Sequence, residues 1–163
     1  MESRRCLNQG VLERISKIIG DTNDGLSGSE IAYFLKQCNI KDVAPNITKW
    51  KRLYSALASV QNNERQSNKI LRFVQTVLNP ARYTNQHAFE TKRKAVNESL
   101  SYVGYELQPN GRFREVPVAK TISEAHQRAN DLLTNLQIRN AHQEIFKYCQ
   151  AELVDKNYFH AVF

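Results

Sequence analysis

No Cys-x-x-Cys pair occurs anywhere in the chain, and its three cysteines, Cys6, Cys38 and Cys149, are odd in number and far apart. That excludes a disulfide framework and the usual thiolate zinc sites. Cys38 and Cys149 fall on apolar helix faces and read as buried thiols, so a reduced, cytoplasmic setting is expected. No apolar run approaches the roughly 18 residues that a membrane span needs, so no membrane partner is expected. The N-terminus carries Arg4 and Arg5 but no apolar stretch behind them, which is not the pattern of a secretory signal. A glycine-rich phosphate loop is also missing. His87, His126, His142 and His160 are scattered, with no metal-ligand spacing among them. Neither a catalytic set nor a cofactor is therefore expected.

Acidic residues are scarce in one long stretch. Ten of the 23 lysines and arginines lie between Lys49 and Lys94 against two acids, Glu64 and Glu90, a formal +8. The remaining residues carry 13 basic and 14 acidic groups, a net −1, so the +7 of the whole chain is local. A block of one charge on a balanced background marks a surface for a polyanion, nucleic acid being the commonest.

What is present is helical periodicity with clear punctuation. Leu7, Val11, Ile15 and Ile18 repeat at helical spacing up to Gly20. Ser27 and Glu30 form a capping box, with Leu26 and Ile31 placed as a hydrophobic staple. Pro45-Asn46 breaks the chain, and Thr48 is positioned to cap a third helix with Trp50, Leu53, Leu57 and Val60 as its apolar stripe. A fourth helix carries Ile70, Phe73, Val74 and Val77 and stops at Asn79-Pro80. A fifth is expected over about 88–103. Tyr105 to Val116 reads as a hairpin around Pro109-Asn110-Gly111. Thr121 and Glu124 open a sixth helix, and Ile145, Phe146, Cys149 and Leu153 mark a seventh. The fold class is a mainly α single domain of about seven helices with one β-hairpin over 104–116. The domain is expected to span 1–157, with 158–163 as the start of a further helix.

Candidate binding residues follow from this layout. The second and third helices have the outline of a helix-turn-helix, although the 39–47 linker is longer than a tight turn. On the third helix Arg52 and Ser55 lie opposite the Trp50 stripe, with Lys49 and Lys51 beside them at the end where the helix dipole favours phosphate. Arg65, Lys69 and Arg72 follow at i, i+4 and i+7, as one basic face of the fourth helix. Lys92 and Arg93 extend the zone, and Arg112 and Arg114 point to one side of the hairpin. The terminal Tyr158, Phe159, Val162 and Phe163 are too apolar to stay in water. They predict a partner contact, with a homodimer through this helix as the expected form. Arg82 and His87 have the spacing of an Arg-x4–6-His ribonuclease signature, which matches about once by chance in a chain of this composition.

Several runs carry a family resemblance. They include Gly25-Leu26-Ser27-Gly28-Ser29-Glu30-Ile31, Thr48-Lys49-Trp50-Lys51-Arg52-Leu53, Asn79-Pro80-Ala81-Arg82-Tyr83 and Asn157-Tyr158-Phe159-His160-Ala161-Val162. The chain resembles, from about Gly25 onward, the N-terminal half of the Ymh-like, AbiJ-type abortive-infection proteins of bacteria and phages. The resemblance implies that a helical, HEPN-like effector region follows the Tyr-Phe-His-Ala-Val stretch. Any nuclease chemistry is then expected there, and this chain has no positions matching it. The expected function is a non-enzymatic, nucleic-acid-binding sensor domain of an anti-phage protein, contacting DNA or RNA through phosphates. A protein-interaction module and a small RNase are the alternatives.

Overall fold

The computed structural model describes residues 4–131, 134, 138 and 140–145. Two compact units divide at the Ala129/Asn130 peptide. The expected 157/158 boundary and the partner-contact residues Tyr158, Phe159, Val162 and Phe163 lie outside the described residues.

The first unit is mainly helical with one hairpin, as the periodicity predicts. Its helices are α1 (Gln9–Ile19), α2 (Gly28–Gln37), α3 (Lys49–Glu64), α4 (Asn68–Val77) and α5 (Gln86–Leu100). Single 3-10 turns over Pro80–Arg82 and Ser101–Val103 follow α4 and α5. Strands β1 (Tyr105–Leu107) and β2 (Phe113–Glu115) pair antiparallel, with Glu106 opposite Arg114. Residues 122–131 are helical again.

Local chemistry sets these boundaries. Asn8 Oδ1 accepts from the Val11 N–H at 2.8 Å and starts α1. At α2 the Ser27 hydroxyl accepts from the Glu30 N–H, and the Glu30 carboxylate accepts from the Ser27 N–H at 2.9 Å, closing the capping box. Leu26 and Ile31 are both buried, as a staple requires. Thr48 does stand at the N-cap of α3, but its side chain makes no capping bond. In the hairpin, the Gly111 N–H donates to the Gln108 carbonyl and Gly111 takes φ 76°, which closes a turn few other residues would tolerate.

Helix α1 packs against α3 and α5, while α2, α3 and α4 pack on one another. Ile15, Ile31, Leu35, Leu53, Leu57 and Phe73 are fully enclosed between them. Gly20 permits a close approach of α1 and α3: a Cβ there would stand 2.8 Å from the Trp50 backbone. Trp50 is consequently pushed to the rim, where Lys17 and Lys51 cover its ring. The apolar stripe of α3 is rotated relative to the expected Trp50–Leu53–Leu57–Val60 line. Its buried residues are Arg52, Leu53, Ala56, Leu57 and Gln61.

A buried polar network ties the hairpin to α5. Arg93, 1% exposed, donates from Nε and Nη2 to Glu90 Oε2 at 2.9 and 2.5 Å, and from Nη1 to the Leu107 carbonyl at 3.0 Å. Asn97 completes the clamp, accepting from the Leu107 N–H at 2.7 Å and donating to its carbonyl at 2.9 Å. The other Glu90 oxygen is buried without a hydrogen-bond partner. Removing the arginine therefore strands a carboxylate. R93M should lose about 3–5 kcal/mol in urea unfolding, whereas the double variant R93M/E90L should recover most of it. A single variant as stable as the wild type would show that the pair does not hold the hairpin.

The capping box also sets a pH dependence. The Ser27 N–H and hydroxyl, helped by the nearby Arg82 charge, hold the Glu30 carboxyl below its ordinary 4.5. A lowered folded-state pKa gives stability that is present above 4.5 and lost as pH falls through the folded value. The acid limb of a thermal-unfolding profile should therefore be shallower in E30Q than in the wild type.

Candidate nucleic-acid interface

Much of the basic block is neutralised inside the fold. Acids from the 21–42 segment meet cations from the 49–94 block. Lys92 pairs with Asp24 at 2.8 Å, Arg82 with Glu30 at 3.1 Å, and Arg52 with Asp42 at 2.5 Å. Lys69 pairs with Glu64 at 2.5 Å and Arg93 with Glu90 within the block itself. Half of the ten cations thus have a carboxylate partner.

This changes the reading of several candidate residues. Arg52 is buried rather than presented to a groove. Its Nε and Nη2 hold Asp42, and its Nη1 donates to the Gly28 carbonyl at 2.9 Å. It ties the long 39–47 linker to α2 and α3, so the expected α3 face has lost its arginine. Ser55 is half-buried on that helix. Lys49 donates to the Thr22 carbonyl at 3.4 Å, and Lys51 lies over Trp50. Arg93 is interior, and Lys92 is folded back on Asp24 and the Ile18 carbonyl. Arg65 does not belong to α4 at all. It caps α3 in the left-handed region, at φ 56°. Arg114 is drawn onto Glu106 at 2.8 Å, which separates it from Arg112.

The RNase-like pair is equally divided. Arg82 is held by Glu30 and the Val77 carbonyl, and its guanidinium lies 4.3 Å from the Phe34 ring centre. His87 is exposed at the start of α5. A small cavity of about 140 Å3 beside Arg82 is lined by Asp24, Glu30 and Lys92, whose charges answer one another. Among the described residues no cluster of metal-ligating side chains occurs. No helix among them is long and apolar enough to cross a membrane.

The remaining cations converge elsewhere. A groove of about 1100 Å3 runs between the N-terminal arm, the start of α4 and the hairpin. Arg4 and Arg5 come from the arm, Lys69 and Arg72 from α4, and Arg112 from the hairpin turn. Lys69 is answered by Glu64, and Glu115 stands at the edge. Among the described residues, Arg5, Arg72 and Arg112 have no ion-pair partner and are exposed. Leu71, Tyr105 and Phe113 belong to the groove's apolar lining; Leu71 and Tyr105 are buried, and Phe113 is half-buried. Arg4 lies 5.4 Å from the Tyr105 ring centre.

The arm reaches this position through one glutamine. Gln61, buried in α3, accepts from the Leu7 N–H at 2.8 Å and donates to the Leu7 carbonyl at 2.9 Å. The Arg4 N–H then donates to Asn68 Oδ1, and the Ser67 N–H donates to the Arg4 carbonyl. Arg4 and Arg5 were not among the expected contacts, because nothing local distinguishes them from a solvated terminus. The legible signal was Gln61, a polar residue that continues the apolar face of α3 one turn beyond Leu57.

Comparison with protein-family models, curated proteins and solved structures gives no match. The functional reading therefore rests on the site itself.

Gln61 makes the arm testable. Q61L should leave the Leu7 backbone groups unsatisfied, cost about 1–3 kcal/mol and accelerate hydrogen exchange at Leu7. Unchanged protection at that amide would mean that the arm is held by something else.

Proposed function

We propose that the protein binds nucleic acid through the groove between the arm, α4 and the hairpin. In keeping with the family resemblance, we infer a regulatory domain of an abortive-infection-type anti-phage protein. The supporting observation is convergence. Basic side chains from three separate segments of the chain meet on one concave surface, and four of the five are arginines. The groove lining carries five basic groups against two carboxylates, Glu64 and Glu115, whereas around Asp24, Glu30 and Asp42 each acid has its own cation. Unpaired arginines facing each other repel, and a chain of phosphates relieves that repulsion.

The proposal has a quantitative signature. Four phosphate contacts give a slope of log K against log salt of about −3 to −4, roughly two decades of affinity between 50 and 200 mM. Anisotropy titrations should show R72A and R112A each flattening that slope by about 0.7–0.9. R52A should lower thermal stability and leave the slope unchanged, since its guanidinium is turned to Asp42. Binding insensitive to salt, or lost only in R52A, would remove the groove reading.

A further inference from the structure

We infer that the groove takes an unpaired nucleic-acid strand, with a base against the half-buried Phe113 ring and phosphates on the arginine walls. This rests on the nucleic-acid reading above and goes further in naming the strand's form. Three features of the site point to it.

The first is shape. A duplex presents its phosphates on a convex cylinder, and it is met by protruding elements such as a helix or ribbon entering a groove. Here the cations line a concavity of about 1100 Å3, near the size of sites that enclose a ligand. The helix expected to enter a duplex groove is α3, but it packs against α1, α2 and α4, and its Arg52 is turned inward to Asp42.

The second feature is the apolar lining. A duplex hides its base faces in the stack and offers nothing to an apolar surface. A single strand exposes those faces, and aromatic platforms beneath a cationic rim are the general solution for holding them. Phe113 is half-buried, so one side of its ring packs on the core while part of it remains open to the groove.

The third is the choice of cation. The unpaired groove charges are arginines, whose planar guanidinium both forks onto phosphate and stacks on a ring. The Arg4 guanidinium, 5.4 Å from the Tyr105 ring centre, already makes a cation–ring contact within the protein. On the walls, Gln66 and Gln75 add side-chain amides that can donate to and accept from base edges.

The test compares ligands of equal length, about a dozen nucleotides, on the full chain by fluorescence anisotropy: oligo-dT, oligo-U, a DNA duplex and an abasic deoxyribose-phosphate strand. At least one unpaired strand should bind about tenfold or more tightly than the duplex. The abasic strand should bind about tenfold more weakly than oligo-dT at an equal salt slope, because it keeps the phosphates and loses the bases. The oligo-dT and oligo-U arms distinguish DNA from RNA. F113L, which keeps apolar volume and removes the ring, should weaken the preferred strand several-fold without changing its slope. A duplex that binds as tightly as the tighter of the two strands, or an abasic strand equal to oligo-dT, would overturn the inference and leave the nucleic-acid reading standing. No binding of any ligand at about 50 mM salt would overturn both.

Discussion

The hydrogen bonds on Leu107 are what the rest of the site depends on. A two-stranded hairpin with three-residue strands is at best marginal by itself. Here both backbone groups of its central anchor are taken by α5: the N–H by Asn97, the carbonyl by Asn97 and Arg93. Arg93 can be buried only because Glu90, one turn earlier, neutralises it. The same helix thus supplies a charge, its counter-charge and an amide, all at i, i+3 and i+7 on one face. With Leu107 fixed, Arg112 and Phe113 of the hairpin line the same groove as Arg72 of α4. Without that clamp the cations of the hairpin and of α4 would have no fixed relation.

The charge of the chain is divided between two tasks. Arg52, Arg82 and Lys92 are drawn to Asp42, Glu30 and Asp24, acids that come from well before them in the sequence. These pairs join the α1–α2 connection, α2 and the 39–47 linker to the later helices. They are partly exposed, so their worth is in register and linker placement more than in raw stability. The groove arginines are treated differently. No carboxylate is ion-paired with Arg5, Arg72 or Arg112 among the described residues; of the two acids that line the groove, Glu64 is held by Lys69 and Glu115 stands exposed.

The fold was largely legible in the sequence, and the site only in part. Capping residues act over three or four positions, so Asn8, Ser27 and Glu30 could be read directly. The Pro109-Asn110-Gly111 turn was equally local. Long-range pairing was not. Nothing near Arg52 announces that Asp42 will reach it across a nine-residue gap, and burial of an arginine contradicts its usual place at the surface. The same holds for Arg93. A formal charge count therefore overstated the 49–94 surface and passed over Arg4 and Arg5, whose position depends on Gln61, 54 residues beyond Leu7. Trp50 misled for a steric reason: the backbone contact at Gly20 leaves no room for an indole inside, so the stripe of α3 turned toward Ala56.

The contrast between buried and open arginines bears on function more strongly than the total charge does. A protein able to neutralise Arg52, Arg82 and Arg93 with acids near and far in sequence has the means to neutralise Arg72 and Arg112 as well. Leaving them open beside Arg4 and Arg5 costs self-repulsion in the free state, a cost that natural chains tolerate mainly where a ligand relieves it. The arm strengthens the point. It is held through backbone bonds to Gln61, Ser67 and Asn68, which leaves both arginine side chains available while fixing where they start. Preorganisation of this kind would lower the ordering cost of the binding proposed above, since the cations need not be gathered when a polyanion arrives. That proposal therefore leans on where the arm and the hairpin hold their arginines, and not on the net charge of the chain.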